Sequence, residues 1–184
     1  MDDFFTTRLL TRRQIDQAYA VARMVVPDLT VECWRDFAAA LIQDAGDPDP
    51  SATEGPAAAS GIMTVQTHQG YIHGLFSFRT DPHLRHGRVL TVDNFMVVDM
   101  VDPAGTASLL LRAMDRTAHA LGCSAIHTTL PANYAQLPEY CNAVLTYFRD
   151  DGHAVDTLRL CKTVDGANDN ESQIPARVTA GEGE

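Results

Sequence analysis

One carboxylate stands inside an apolar, β-rich run: Asp93 in RVLTVDNFMVV, residues 88–98. A charge in such a run is costly unless it is paired or does chemistry. The chemistry open to it is proton abstraction, directly or through water. Asp93 therefore reads either as a general base or as a structural carboxylate held by hydrogen bonds. A second signal is VDPAGTASLLLRAMDRTAHALG, residues 101–122, where a Pro/Gly turn opens into an amphipathic helix. A turn of this kind presents backbone N–H groups and the positive end of the helix dipole, and so can bind an anion. Pro103 and Gly105 also suffice for a tight turn that merely starts a helix, and the residues alone favour that plainer reading. Four histidines and a tyrosine complete the candidates. His83 and His86 form an HLRH loop pair whose spacing matches no metal motif, so no metal site is expected. His73, His127 and Tyr147 lie on separate elements. His127 is the best placed for acid–base work near neutral pH, although hydrogen-bonded core roles are commoner for such histidines. There is no G-x-S-x-G, H-E-x-x-H or Walker A pattern.

The elements that must position these residues follow from periodicity. FFTTRLL reads as a short strand. TRRQ, residues 11–14, fits a capping box, and Ile15, Ala18, Tyr19, Ala22 and Val25 then keep helical spacing. Thr30 caps a second helix with Val31, Trp34, Ala38, Leu41 and Ile42 on one stripe. GIMTVQTHQGYIHGLFSF predicts a hairpin turning near Gly70. Residues 88–98 form the central strand. Strict alternation there puts Thr91, Asp93, Phe95 and Val97 on one face and Leu90, Val92, Asn94, Met96 and Val98 on the other. A helix carries Ala107, Leu111, Met114, Ala118 and Leu121 and ends at Gly122. CSAIHTTL is the next strand. Another helix carries Leu137, Tyr140, Cys141, Val144, Leu145 and Phe148, and AVDTLRLCKTV closes as a strand. The expected fold is a single α/β domain with a mixed sheet and helices on both faces.

The chain of 184 residues suits one domain, expected over residues 1–164, with residues 44–60 as a mobile loop and 165–184 as a disordered tail. A formal charge of −10 argues against nucleic acid or an anionic membrane as partner, since both demand a basic patch. It tolerates a cationic or neutral substrate. Cys33, Cys123, Cys141 and Cys161 are scattered through apolar stretches and read as reduced core thiols. The basic start of a signal peptide and an apolar span long enough for a membrane are both missing, so a cytoplasmic location is expected.

The stretch VVDMVDPAGTASLLL resembles the GNAT superfamily of acyl-CoA-dependent N-acyltransferases, whose pattern is an apolar strand followed by Q/R-x-x-G-x-G/A at a helix start. Gly105, Thr106 and Ala107 match G-x-G/A, and Leu109 to Leu111 match the apolar residues after it. LTYFRDDGHAVDTLRLCKTV has the family's closing layout, with Gly152 and His153 in place of Gly-Phe. The likeness in element order covers residues 4–164. It implies acetyl-CoA or another acyl-CoA as co-substrate, without a metal, and transfer to an amine of a small molecule or peptide by direct attack. It also implies a homodimer. Pantetheine would pair with backbone at Val97 and Val98, and the diphosphate would meet N–H groups of Gly105, Thr106 and Ala107. Asp93 would be the base, with Tyr147 or His127 supplying the acid. Two departures stand out. Asp102 occupies the Q/R position with Asp99 nearby, and Phe148 occupies the place of the family's tyrosine. Arg85 and Arg88 are the cations considered for the missing charge. A non-catalytic CoA-binding module is the rival reading.

Overall fold

Two long β-hairpins and one crossover decide the architecture. The computed structural model describes residues 5–43, 59–99, 101–130 and 138–155, with backbone alone for residues 43 and 138–143. Five strands form one sheet in the order β1 (Phe5–Leu9), β2 (Ser60–Thr67), β3 (Ile72–His83), β4 (Gly87–Val97) and β5 (Ala125–Thr128). The first four are antiparallel, and β5 lies parallel to β4 through the helix α3 (Pro103–Ala120). The sheet is therefore mixed, as expected. All these elements belong to one compact unit, Met1–Ala154.

The helices α1 (Ile15–Val25) and α2 (Val31–Gln43) pack on one face of the sheet. Ala18, Val21, Ala22, Trp34, Ala38 and Ile42 meet Ile62, Leu75 and Met96 there. On the other face α3 and α4 (Pro138–Asp150) bring Leu110, Met114, Val144 and Phe148 against Val65, Phe76, Phe78, Leu90, Val92, Phe95 and Val97. The helices α1 and α2 start as their sequences dictate. The Gln14 side chain accepts from the Thr11 N–H at 3.4 Å and the Thr11 hydroxyl at 3.0 Å, closing a 3-10 turn at Arg12–Gln14 that leads into α1. The Thr30 hydroxyl accepts from the Cys33 N–H at 3.2 Å and caps α2. Among the described residues no helix is long and apolar enough to cross a membrane.

Three expectations need correction. Ser60 is not loop: it is buried, opens β2, and its hydroxyl bonds the Leu41 carbonyl at 3.0 Å. Cys33 is not a core thiol but faces outward on α2, while Cys123 is partly buried. Strict alternation along β4 also fails, for a reason that shapes the site. The closing strand beyond Val155, the 165–184 tail and most of the 44–60 loop lie outside the described residues.

Candidate active site

A bulge in β4 sets the geometry of the site. Ser77 pairs with Asp93 and Leu75 with Met96, so Asn94 and Phe95 together face Phe76. Asn94 takes φ +56°, a left-handed conformation that asparagine tolerates better than most residues. Its amide donates to the Ser77 hydroxyl at 3.0 Å, and that hydroxyl donates to the Asp93 carbonyl at 2.9 Å. The extra residue reverses the alternation. Phe95 and Val97 join Leu90 and Val92 on the α3 face, and Met96 turns to the α1–α2 face. Asp93 shares the face of Thr91 and Met96, opposite Phe95 and Val97, which corrects the face assigned from the sequence.

Just before this bulge β4 loses its β5 neighbour while its pairing with β3 continues. β4 pairs with β5 only from Val89 to Val92, with the Thr129 N–H closing on the Val92 carbonyl at 2.8 Å. β4 itself continues to Val97. The Val98 N–H is already given to the His73 carbonyl of β3 at 2.9 Å, so it points away from the β5 side.

At the start of α3 two carboxylates occupy the backbone N–H groups. Asp102 accepts from the Gly105 N–H at 2.8 Å as the helix cap, and its own carbonyl takes the Thr106 N–H at 3.1 Å. A Cβ on Gly105 would run into the Asp102 carboxylate as it now sits, so glycine leaves room for this cap. Asp99 is buried and accepts from the N–H groups of Val101 (2.8 Å) and Asp102 (3.1 Å) and from the Thr106 hydroxyl (2.9 Å). His73 Nδ1 lies 3.4 Å from it. Burial by itself would raise the Asp99 carboxyl. The N–H groups of Asp102 and Val101, the Thr106 hydroxyl and His73 outweigh it and hold that carboxyl below its ordinary range. Thr106 and Ala107 are buried in the first turn of α3. Gly74 lets this turn approach: its Cβ would meet the Met96 carbonyl at 2.9 Å and the Thr106 methyl at 3.1 Å. Neither Arg85 nor Arg88 can serve a ligand here. Arg88 is the second residue of β4, about 30 Å of extended strand from Val97.

Asp93 is engaged by Arg79, whose Nη1 lies 3.1 Å from its carboxylate; the same guanidinium reaches Asp81 at 3.0 Å. His127 pairs with Thr91, two residues before Asp93 and on its face. The structure thus brings Asp93 and His127 to one side of the sheet. Tyr147 sits on the other, partly buried against the α3 core, next to Phe148. Phe148 is buried between the rings of Phe95 (4.8 Å) and His153 (4.9 Å). Gly152 follows α4 at φ +94°, and the His153 N–H returns to the Phe148 carbonyl at 2.9 Å. Sequence reasoning missed Arg79, and it set Asp99 beside the motif without its buried, hydrogen-bonded role. Alternation in the hairpin could have signalled Arg79, but nothing local marks Asp99 as buried. Burial also pushes the Cys123 thiol up, against the milder opposing charge of Arg88, which argues against a nucleophilic role.

No family model matches the chain, and no curated protein matches it in sequence. Solved structures do. The aminoglycoside N-acetyltransferase AAC(6')-Iy, solved with CoA, superposes with a TM-score of 0.64 at 11% identity, covering 86% of this chain and 94% of that one. The ribosomal-protein-alanine N-acetyltransferase of Brucella melitensis biovar Abortus 2308 gives 0.60 at 17% identity, with 87% and 99% covered. A transcriptional regulator from Bacillus halodurans C-125 gives 0.64 at 17% identity, also with 87% and 99% covered. At such identities the likeness speaks to architecture. The mixed five-stranded sheet, the helices on both faces and these superpositions together establish that the chain has the GNAT fold.

Proposed function

We propose that the protein is an acyl-CoA-dependent N-acyltransferase that moves an acyl group, acetyl in the first instance, to an amine by direct attack. The observation that carries this reading is the parting of β4 from β5 after Val92, at the Asn94 bulge, within a GNAT fold. An acyl-pantetheine arm laid in that parting would run along Val97, with its thioester near the bulge. Asp93 would take the proton of the amine through water, since Arg79 engages its carboxylate directly. His127 on the same face is the acid candidate that geometry favours over Tyr147. The α1–α2 pair and the β3–β4 hairpin would form the acceptor side. The CoA-bound aminoglycoside acetyltransferase among the neighbours supports a small-molecule amine as acceptor.

A second reading rests on a specific observation. The Asp102 side chain occupies the Gly105 N–H, where a diphosphate would sit, and Phe148 offers no phenol. Both favour a non-catalytic module of the same fold, and one structural neighbour is described as a transcriptional regulator.

Thermal unfolding with acetyl-CoA separates the readings. At 100 times its dissociation constant the ligand adds about 2.7 kcal/mol, a shift of several degrees. A shift together with free CoA release on addition of an amine supports the enzyme. A shift without release across an amine panel supports the module. No shift at millimolar acetyl-CoA defeats both.

A further inference from the structure

The hairpin end of the sheet, away from the α3 N-terminus, gathers three imidazoles. His83 closes β3, His86 lies in the turn before β4, and His127 comes from β5. One ring nitrogen from each lies within 4.8 Å of the other two. The ring centroids are 4.5 Å apart for His83–His127, 5.1 Å for His83–His86 and 5.5 Å for His86–His127. All three side chains are half-buried.

The backbone under them is fixed. Ser124 donates its N–H to the Arg88 carbonyl at 2.9 Å and its hydroxyl to the His86 carbonyl, tying the turn to the entry of β5. Asp81 pairs with Val89, and Val89 with Ala125, so His83 and His127 project from one face across this part of β4. Within the turn the N–H groups of Arg85 and His86 donate to His83 Nδ1 at 3.3 and 3.2 Å. The His83 lone pair thus sits on Nδ1, directed at the turn rather than at bulk solvent.

We propose that His83, His86 and His127 form a binding site for one divalent transition-metal ion of the zinc class, with water completing a tetrahedron. Three neutral imidazoles are a donor set that zinc, nickel and copper accept and that magnesium and calcium do not. Zn–N bonds of about 2.0–2.1 Å place ligand nitrogens about 3.4 Å apart. The observed separations reach that value by side-chain rotation, with the stacked His83 and His86 rings turning to converge and the two amide contacts at His83 giving way. Arg85 and Arg88 oppose a cation here, while the chain's net charge of −10 favours one. With the ion bound, His127 acts as a ligand rather than as a proton donor, and the β3–β4 hairpin is clamped to β5.

The test is calorimetric titration of Zn2+ into the full chain after chelator treatment, beside the single variants H83Q, H86Q and H127Q. Each variant is first checked for a native circular dichroism spectrum. Co2+ provides a second readout through the visible bands of a tetrahedral nitrogen site. The expected result is one ion per chain, with each substitution weakening it at least tenfold, on the scale at which even supporting residues affect metal sites. Absence of saturable binding, or binding unchanged in all three variants, would overturn the proposal. If a glutamine variant fails to fold, H83N and H127N give the same comparison, and Co2+ spectra typical of an octahedral aquo-ion count against the site.

Discussion

Asp93 and Asp99 are both carboxylates near β4, yet their surroundings give them different tasks. Asp93 is 18% exposed and paired with an Arg79 that is about half exposed, a pairing worth only about 0–1 kcal/mol to the fold. Asp93→Asn should therefore leave the unfolding midpoint nearly unchanged. If Asp93 is the base, the same substitution should lower acyl transfer by about 10²–10⁴-fold with acetyl-CoA affinity retained. Steady-state rates beside a thermal-shift titration check both halves. Asp99 instead binds the loop that leads into α3, and its side chain is 3% exposed. A carboxyl held below its unfolded value contributes stability in full above the unfolded value, near pH 4, and loses it as pH falls through the folded one. Asp99→Asn should cost about 1–3 kcal/mol at neutral pH. The gap to the parent should narrow as pH falls from about 4 toward the folded value, as urea unfolding at pH 7 and pH 3 would show.

At the scale of elements, the β4 bulge and the α3 cap carry the consequences. A β-branched residue at Asn94 would have to take a left-handed backbone and would lose the bond to Ser77. Asn94→Val should cost about 1–3 kcal/mol, and Asn94→Gly less, by the same unfolding measurement. At α3, Gly105→Ala places a methyl into the Asp102 carboxylate and should break the cap, costing about 1 kcal/mol. Asp102→Ala removes the same cap but also releases the Gly105 N–H and one negative charge. It should lose about 1 kcal/mol of stability and yet bind acetyl-CoA more tightly than the parent if the diphosphate seats there. Equal or weaker affinity in equilibrium titration would place the diphosphate elsewhere.

For the whole molecule, the excess of acidic side chains sets a long-range field that attracts cations and repels the diphosphate of CoA. If the protein is the proposed acyltransferase, salt should raise the apparent KM for cationic amine acceptors, leave neutral amines unaffected, and tighten acetyl-CoA binding. Turnover measured from 20 to 300 mM salt checks all three. Opposite salt responses for acetyl-CoA and a cationic amine would show that the two bind in different local fields.

The order of elements was legible in the sequence because it depends on short-range periodicity. The β-rich runs on either side of Gly70, the capping residues Thr11, Gln14 and Thr30, and the stripe from Ala107 to Ala118 are each local signals. The same holds for the turn at Gly105, whose strand-to-helix position is written in four or five neighbouring residues. What lay beyond the sequence depends on pairing between distant segments. Only the register of β3 against β4 reveals the extra residue at Asn94 and turns Asp93 to the face opposite Phe95. Only the packed loop after β4 shows Asp102 taking the Gly105 N–H that the motif left open, and Asp99 taking those of Val101 and Asp102. The HLRH pair was visible, but the third imidazole, His127, joins it because β5 lies parallel to β4, a pairing that no local spacing encodes.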